Sequence, residues 1–315
     1  MAKIQKQLMI TSIFSKSKPI NFIIVFFITL LAFIVGRLGL PTEEVTTLLV
    51  LEEFGLFCVC YVSILLVNFI VSKNSLSGKS NYEILLFSLF LFSLTQTTSN
   101  INILFSNFFV LLGLRRVISL RSQIQMNKKL FDAAFWFAIA ALFYFWAILF
   151  FILILVSLAL YNDIKVNHWF IPFTGVGAVF VITSAVSIVY YDSFFDTFKS
   201  LPEVSFNFNS YNSASYIIAI TILLSFGIWS SFYYIKSIKE KKKAFRVSFK
   251  SILLSAIIGS AIVVLSPIKD GSEFLFVFAP LAIVIANYIE IIEENWFKET
   301  FLAILFILPF ALLLL

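Results

Sequence analysis

The chain of 315 residues is 61% hydrophobic and 13% charged, it contains forty Phe, and its polar residues gather in short breaks between apolar runs. This excludes a water-soluble globular domain of that length, and no stretch between the runs is long enough for an independent soluble module; residues 1–315 read as a single integral membrane domain. The net charge of +6 comes from short basic loops without aromatic interleaving, which points to a membrane surface and away from nucleic acid.

The N-terminal segment, residues 1–19, carries Lys3, Lys6, Lys16 and Lys18 ahead of the apolar run Ile20 to Leu40. No small-residue cleavage site follows, so the run is expected to stay as an uncleaved first span. Beyond it Glu43, Glu44, Glu52 and Glu53 fall close together. On a helix Glu44 and Glu52 would lie about 80° apart, so the segment reads either as an amphipathic helix at the interface or as a source of carboxylates. In the second reading Glu43 or Glu44 serves as a general base, and Arg37 at the end of the first span faces a phosphate or snorkels to headgroups.

Further spans are expected at Phe54 to Ser72, Tyr82 to Thr98 and Ile101 to Leu114. The last two are joined by almost nothing except the polar run Thr95 to Asn100 and Asn102. Polar backbone at membrane depth survives where it is buried in protein or lines water, so Gln96, Asn100 and Asn102 become candidate lining residues of a cavity, with an ordinary exposed turn as the alternative.

The next apolar segment, Phe131 to Tyr161, has an awkward length. One crossing needs about 20 residues, whereas two crossings leave each half short of the ~30 Å hydrocarbon core. Counting basic residues decides for two. With two crossings, twenty Lys and Arg share one side and three, Arg37, Lys199 and Lys269, the other; with one crossing the division is thirteen to ten. A helix break near Tyr144, Phe145 and Trp146 follows from that choice. The remaining spans are Trp169 to Tyr190, Ala214 to Ile235, Ser251 to Pro267, Phe274 to Tyr288 and Thr300 to Leu315. The fold class is therefore all-α: a polytopic helical membrane protein of about 11 segments, two pairs of which are short broken hairpins.

Three connections complete the layout. Residues 191–213 form an outer loop containing Lys199, and residues 236–250 a basic cytoplasmic loop in which Lys241, Lys242, Lys243 and Arg246 are expected to meet anionic lipid. Glu290 to Glu299 is acidic and, with the C-terminal span, is a candidate surface for a membrane-protein partner. Cys58 and Cys60 inside a span and the single His168 beside Trp169 suit packing and anchoring, so neither a metal site nor a cofactor is expected. No GxxxxGK[ST], HExxH or GxSxG pattern occurs.

The stretches Ile13-Phe14-Ser15-Lys16-Ser17-Lys18-Pro19-Ile20-Asn21-Phe22, Leu130 to Ala134 and Leu142-Phe143-Tyr144 resemble an uncharacterised family of bacterial multispanning inner-membrane proteins. That resemblance implies the bacterial inner membrane, and the count of Lys and Arg places the N-terminus on the cytoplasmic side. More distantly, the layout is similar to the C-type glycosyltransferases, whose first outer loop carries a catalytic acid where this chain has Glu43 and Glu44; the similarity is architectural. Two functions are thus carried forward. One is a noncatalytic subunit, scaffold or carrier-lipid binder of a cell-envelope pathway, with membrane lipids as partners. The other is a polyprenyl-phosphate-dependent transferase or polymerase using Glu43 or Glu44 as base and Arg37, Lys199 and Lys269 as phosphate contacts. A transporter ranks below both, because few ionisable groups fall inside the spans.

Overall fold

The computed structural model describes residues 10–38, 46–161, 165–194 and 203–315. Among them there is no strand, and twelve α-helices follow in order: α1 (Ile10–Phe14), α2 (Pro19–Arg37), α3 (Thr47–Asn74), α4 (Tyr82–Ser93), α5 (Ile101–Ser119), α6 (Met126–Phe143), α7 (Phe150–Ala159), α8 (Asn167–Tyr191), α9 (Ala214–Ile238), α10 (Lys243–Leu265), α11 (Leu275–Ile291) and α12 (Asn295–Leu312). Eight of the helical stretches are long and apolar enough to cross a membrane. Three shorter or more charged helices, α4, α6 and α7, bring the segments to the expected eleven. The chain is a polytopic helical membrane protein.

Burial explains the arrangement. Helix α4, Tyr-Glu-Ile-Leu-Leu-Phe-Ser-Leu-Phe-Leu-Phe-Ser, has no polar stripe, and every one of its twelve residues is buried. An all-round apolar helix belongs in the middle of a bundle. It packs lengthwise on α11, which is nearly as buried, with Phe278 of α11 against Phe87 and Phe90. Helices α2, α3 and α12 surround α4, and α9 and α10 flank α11. The succession α3, α5, α6, α8 extends the bundle to one side.

Both short hairpins take the form expected of them. Helix α4 ends at Ser93 and a 3-10 turn, Thr95–Thr98, leads into α5. Thr97 and Thr98 are buried there, and each hydroxyl donates to the carbonyl three residues back, so the polar run is satisfied within its own turn. Phe131 to Tyr161 doubles back: α6 stops at Phe143, a 3-10 turn spans Phe145–Leu149, and Phe137 lies against Phe150 with ring centroids 5.7 Å apart. At one end Tyr144 Oη donates to Ser266 Oγ, just beyond α10, at 2.7 Å; at the other, Ser157 Oγ lies 2.9 Å from Ser251 Oγ near the start of α10. The return limb therefore runs antiparallel to α10. Its ten-residue α-helix is only ~15 Å long.

This path divides the helix ends between two rims. The first rim gathers Arg37, the Thr95–Thr98 turn, Tyr144 to Leu149, Glu203 and the link from Ser266 to Phe274. The opposite rim gathers α1, the residues joining α3 to α4, the turn after α5, and the ends of α9 and α11. Lys16, Lys18, Lys73, Lys79, Arg115, Arg116 and Arg121 are all on this second, basic rim.

The acidic stretch behaves differently from a separate surface helix over its described part. Thr46 caps α3 through Oγ1, which accepts from Leu49 N, and α3 then runs unbroken for 28 residues. Glu52 and Glu53 thus sit in the first turns of a membrane-crossing helix of ~42 Å that overshoots a ~30 Å core.

Candidate functional site

The two hairpin tips converge on the connection between α10 and α11 at the first rim. Gly36 of α2 lies so close to the Thr95–Thr98 turn that a Cβ there would stand 2.5 Å from the Thr95 carbonyl oxygen. Such an approach places Arg37 over the turn, where its Nη1 donates to Thr98 O at 2.9 Å, its Nε pairs with Glu53, and its guanidinium covers the Phe33 ring. The polar turn in turn touches Ser272–Phe274. In that link Asp270 Oδ1 accepts from both Ser272 N and Ser272 Oγ, and Gly271 takes φ +93°, a conformation that suits glycine. A side chain at Gly271 would also meet Tyr216 Oη, which donates to Asp270 O.

Glu273 ends this link and is fully buried. Its Oε2 accepts from Gly271 N at 3.1 Å, while Oε1 has no partner. Glu83 in the first turn of α4, 1% exposed and with an unpartnered Oε2, sits in the corresponding place at the basic end of the core pair. Burial lowers the pKa of Lys269 from its ordinary value. Its Nζ donates to the carbonyls of Val263, Val264 and Ser266 at 2.9–3.0 Å, so the ammonium caps the C-terminus of α10.

Beside this rim a cleft of about 490 Å³ opens between α9 and α10 and is floored by Val277, Phe278 and Leu281 of α11. Its walls, among them Leu223, Leu224, Ile257 and Val264, are almost entirely apolar. Phe208, Tyr211 and Phe274 line its end at the first rim, with Tyr211 packed on Phe274 at 5.6 Å and on Tyr216 at 5.7 Å. The Tyr211 hydroxyl is buried without a hydrogen-bond partner. A buried donor left unpaired normally costs about 1–3 kcal/mol.

The match to a family model extends over residues 9–314. The chain belongs to the family described as "Family of unknown function (DUF6427)". No curated protein and no solved structure matches it. The match covers nearly the whole chain, and the family description assigns no chemistry to it.

Within this DUF6427 fold the residues singled out from sequence are scattered over several environments. Glu43, Glu44 and Lys199 lie outside the described residues. Arg37 stands at the first rim, partnered as above, and Lys269 is on the same rim with its three donors occupied by α10. Asn100 is the N-cap of α5, its Oδ1 accepting from Ile103 N, whereas Gln96 and Asn102 are exposed. On the opposite rim Lys241 lies over the Phe249 ring, Arg246 donates to the carbonyls of Lys239 and Lys241, and Lys242 is the N-cap of α10, which begins at Lys243.

The acidic stretch is largely engaged inside the molecule. Glu290 accepts from Gly78 N and Ser80 Oγ, binding the end of α11 to the residues that join α3 and α4. Glu299 accepts from Ile10 N, Thr11 N and Thr11 Oγ1, capping α1. Glu293 and Glu294 remain exposed beside Trp296. Sequence reasoning passed over Tyr211, Glu83 and Glu273. The signal for Glu273 was there: Asp270-Gly271-Ser272 is a turn, and the acid after it opens an apolar run. Nothing in the sequence distinguishes Tyr211 from the ten other tyrosines.

Proposed function

We propose that this DUF6427 protein is a noncatalytic lipid-binding component of the membrane, seating the chain of a membrane or carrier lipid in the cleft between α9, α10 and α11. The observation that carries this reading is the pairing of an open, apolar cleft with the unpartnered, buried hydroxyl of Tyr211, one of its lining residues. Lipid tails are as apolar as the cleft, so burial from water gives no preference for one lipid over the surrounding bilayer. Selection has to come from packing against Phe278 and Leu281 and from a headgroup oxygen accepting from Tyr211. One such hydrogen bond, worth about 1 kcal/mol, corresponds to roughly fivefold in affinity.

The basic rim faces the cytoplasm of a bacterial cell in this proposal, as the excess of Lys and Arg requires, and the Tyr211 end of the cleft then points outward. Exposed Glu293, Glu294 and Trp296 provide the surface for a membrane-protein partner in an envelope pathway.

The test is to purify the full chain from its own membranes in mild detergent and to quantify retained lipid by mass spectrometry. A stoichiometric lipid is expected, reduced at least tenfold when Ala256→Phe and Ser260→Phe fill the cleft from α10, and reduced more modestly by Tyr211→Phe. Absence of a stoichiometric lipid, or retention unchanged by filling the cleft, refutes the proposal. The transferase alternative is addressed separately: it requires that Glu43→Gln or Glu44→Gln abolish an envelope-glycan phenotype at normal protein level.

A further inference from the structure

A second, chemically distinct cavity lies on the basic rim. It has a volume of about 310 Å³ and is formed where the end of α3, the end of α5 and the start of α6 come together; Lys73, Arg115, Arg116, Arg121 and Lys129 line it, with Asn74, Ser119, Ser122 and Phe69. We infer that this pocket binds an anionic phosphate group, supplied either by a lipid headgroup or by a soluble phosphate compound of the cytoplasm.

Five cationic side chains sharing one small cavity repel one another unless negative charge is brought in. The carboxylate that the structure shows beside them, Asp132, is taken up by Arg116 Nη2 at 2.9 Å. The other four cations have no carboxylate partner among the described residues. Several are nevertheless held in place. Lys129 Nζ donates to Ser119 O and Ser122 Oγ, Arg115 lies over the Phe69 ring at 4.6 Å, and Arg121 lies over the Phe245 ring at 4.0 Å. Stacked guanidinium planes keep their N–H edges free for oxygen acceptors. Arg121 carries the most telling atom, for its Nη1 is buried and has no hydrogen-bond partner. A charged donor in that condition calls for an anionic acceptor, and phosphate, with several oxygens, satisfies a fork of guanidinium donors better than any other common anion at a membrane rim.

The location separates this site from a plain topology signal. Charges that only orient a span need no shared cavity, and the exposed pair Lys242 and Lys243 is an example. Here three helices build a pocket around the charges. The inference does not depend on the lipid-chain reading of the α9–α11 cleft, which opens beside the other rim and is apolar.

The experiment uses the full chain in nanodiscs. In neutral phosphatidylcholine discs inorganic phosphate and pyrophosphate are titrated by calorimetry; in discs containing phosphatidylglycerol, lipids retained on release are counted by native mass spectrometry. The wild type is expected to bind at least one of these probes. Arg115→Gln with Lys129→Gln should weaken that probe at least tenfold, since each lost charge-assisted bond is worth about an order of magnitude in affinity. Lys73→Gln, whose side chain is exposed, should weaken it severalfold with no change in unfolding, and it carries the test if the double variant does not fold. Phosphate-dependent calorimetric binding identifies a soluble ligand, and selective retention of phosphatidylglycerol that free phosphate does not displace identifies a headgroup. No binding of any probe by the wild type, or binding that none of these substitutions alters, overturns the inference.

Discussion

Two glycines of α8, Gly175 and Gly177, stand two residues apart in the same apolar run and look equivalent in the sequence, but they should respond oppositely to an added methyl group. A Cβ at Gly175 would lie 2.7 Å from the Phe131 carbonyl oxygen, 3.0 Å from Ala134 Cβ and 3.1 Å from Phe135 N. That is about 0.7 Å short of ordinary contact, and the nearest obstacle is backbone, which cannot rotate away. Gly175→Ala therefore has to push α6 and α8 apart, at a cost of about 1–3 kcal/mol for overpacking. At Gly177 nothing lies within 4 Å. The gain in helix propensity from Gly to Ala, about 1 kcal/mol, applies to both positions and cancels in their difference. Gly177→Ala should thus be neutral or stabilising, and Gly175→Ala less stable than it by about 1–3 kcal/mol. Both variants can be unfolded by SDS titration from mixed micelles with far-ultraviolet circular dichroism as the readout. Equal midpoints, or the reverse order, would refute the close packing of α6 on α8.

Other outcomes follow from contacts that span the chain. Glu290→Ala removes a carboxylate that accepts from Gly78 N and Ser80 Oγ and should destabilise by about 2 kcal/mol at this half-exposed site. Combining it with Ser80→Ala should give less than the sum of the two single effects, and strict additivity would show that they do not interact. Lys269→Met leaves the carbonyls of Val263, Val264 and Ser266 without their shared donor, so a loss of roughly 2–3 kcal/mol is expected in the same titration. Tyr144→Phe should lower stability by about 1 kcal/mol through the bond to Ser266, and much less in a Ser266→Ala background. Reporters fused after Lys165 and after Glu240 should appear on the same side of the membrane as one placed at Ser77; an opposite result for Glu240 would contradict the return of α7.

Much of the fold was legible because a bilayer imposes a length on every apolar run. Phe131 to Tyr161 illustrates this well: its length demanded explanation, the basic residues favoured a double crossing, and the break falls at Tyr144, between α6 and the turn Phe145–Leu149. The site was less legible. Glu290 and Glu299 read as a partner surface, yet they bind Ser80 and Thr11 across more than two hundred residues, a relation that no local pattern reports. Glu52 and Glu53 likewise belong to α3, because capping by Thr46 starts that helix earlier than the hydropathy of the run suggests.

The sequence by itself determined the class of the protein and the layout of its apolar segments. These follow from a one-dimensional quantity: the hydrocarbon thickness sets the length of each apolar run. Only the tertiary structure decided which of many similar apolar helices occupies the centre, that α4 and α11 bury Glu83 and Glu273 at opposite ends, and that Tyr211 and Arg121, each with a buried polar atom unpaired, line two different cavities. In lipid, polar and apolar patterning no longer separates the inside of a bundle from its outside, so the choice of neighbours falls to close packing and to hydrogen bonds between residues far apart in the chain.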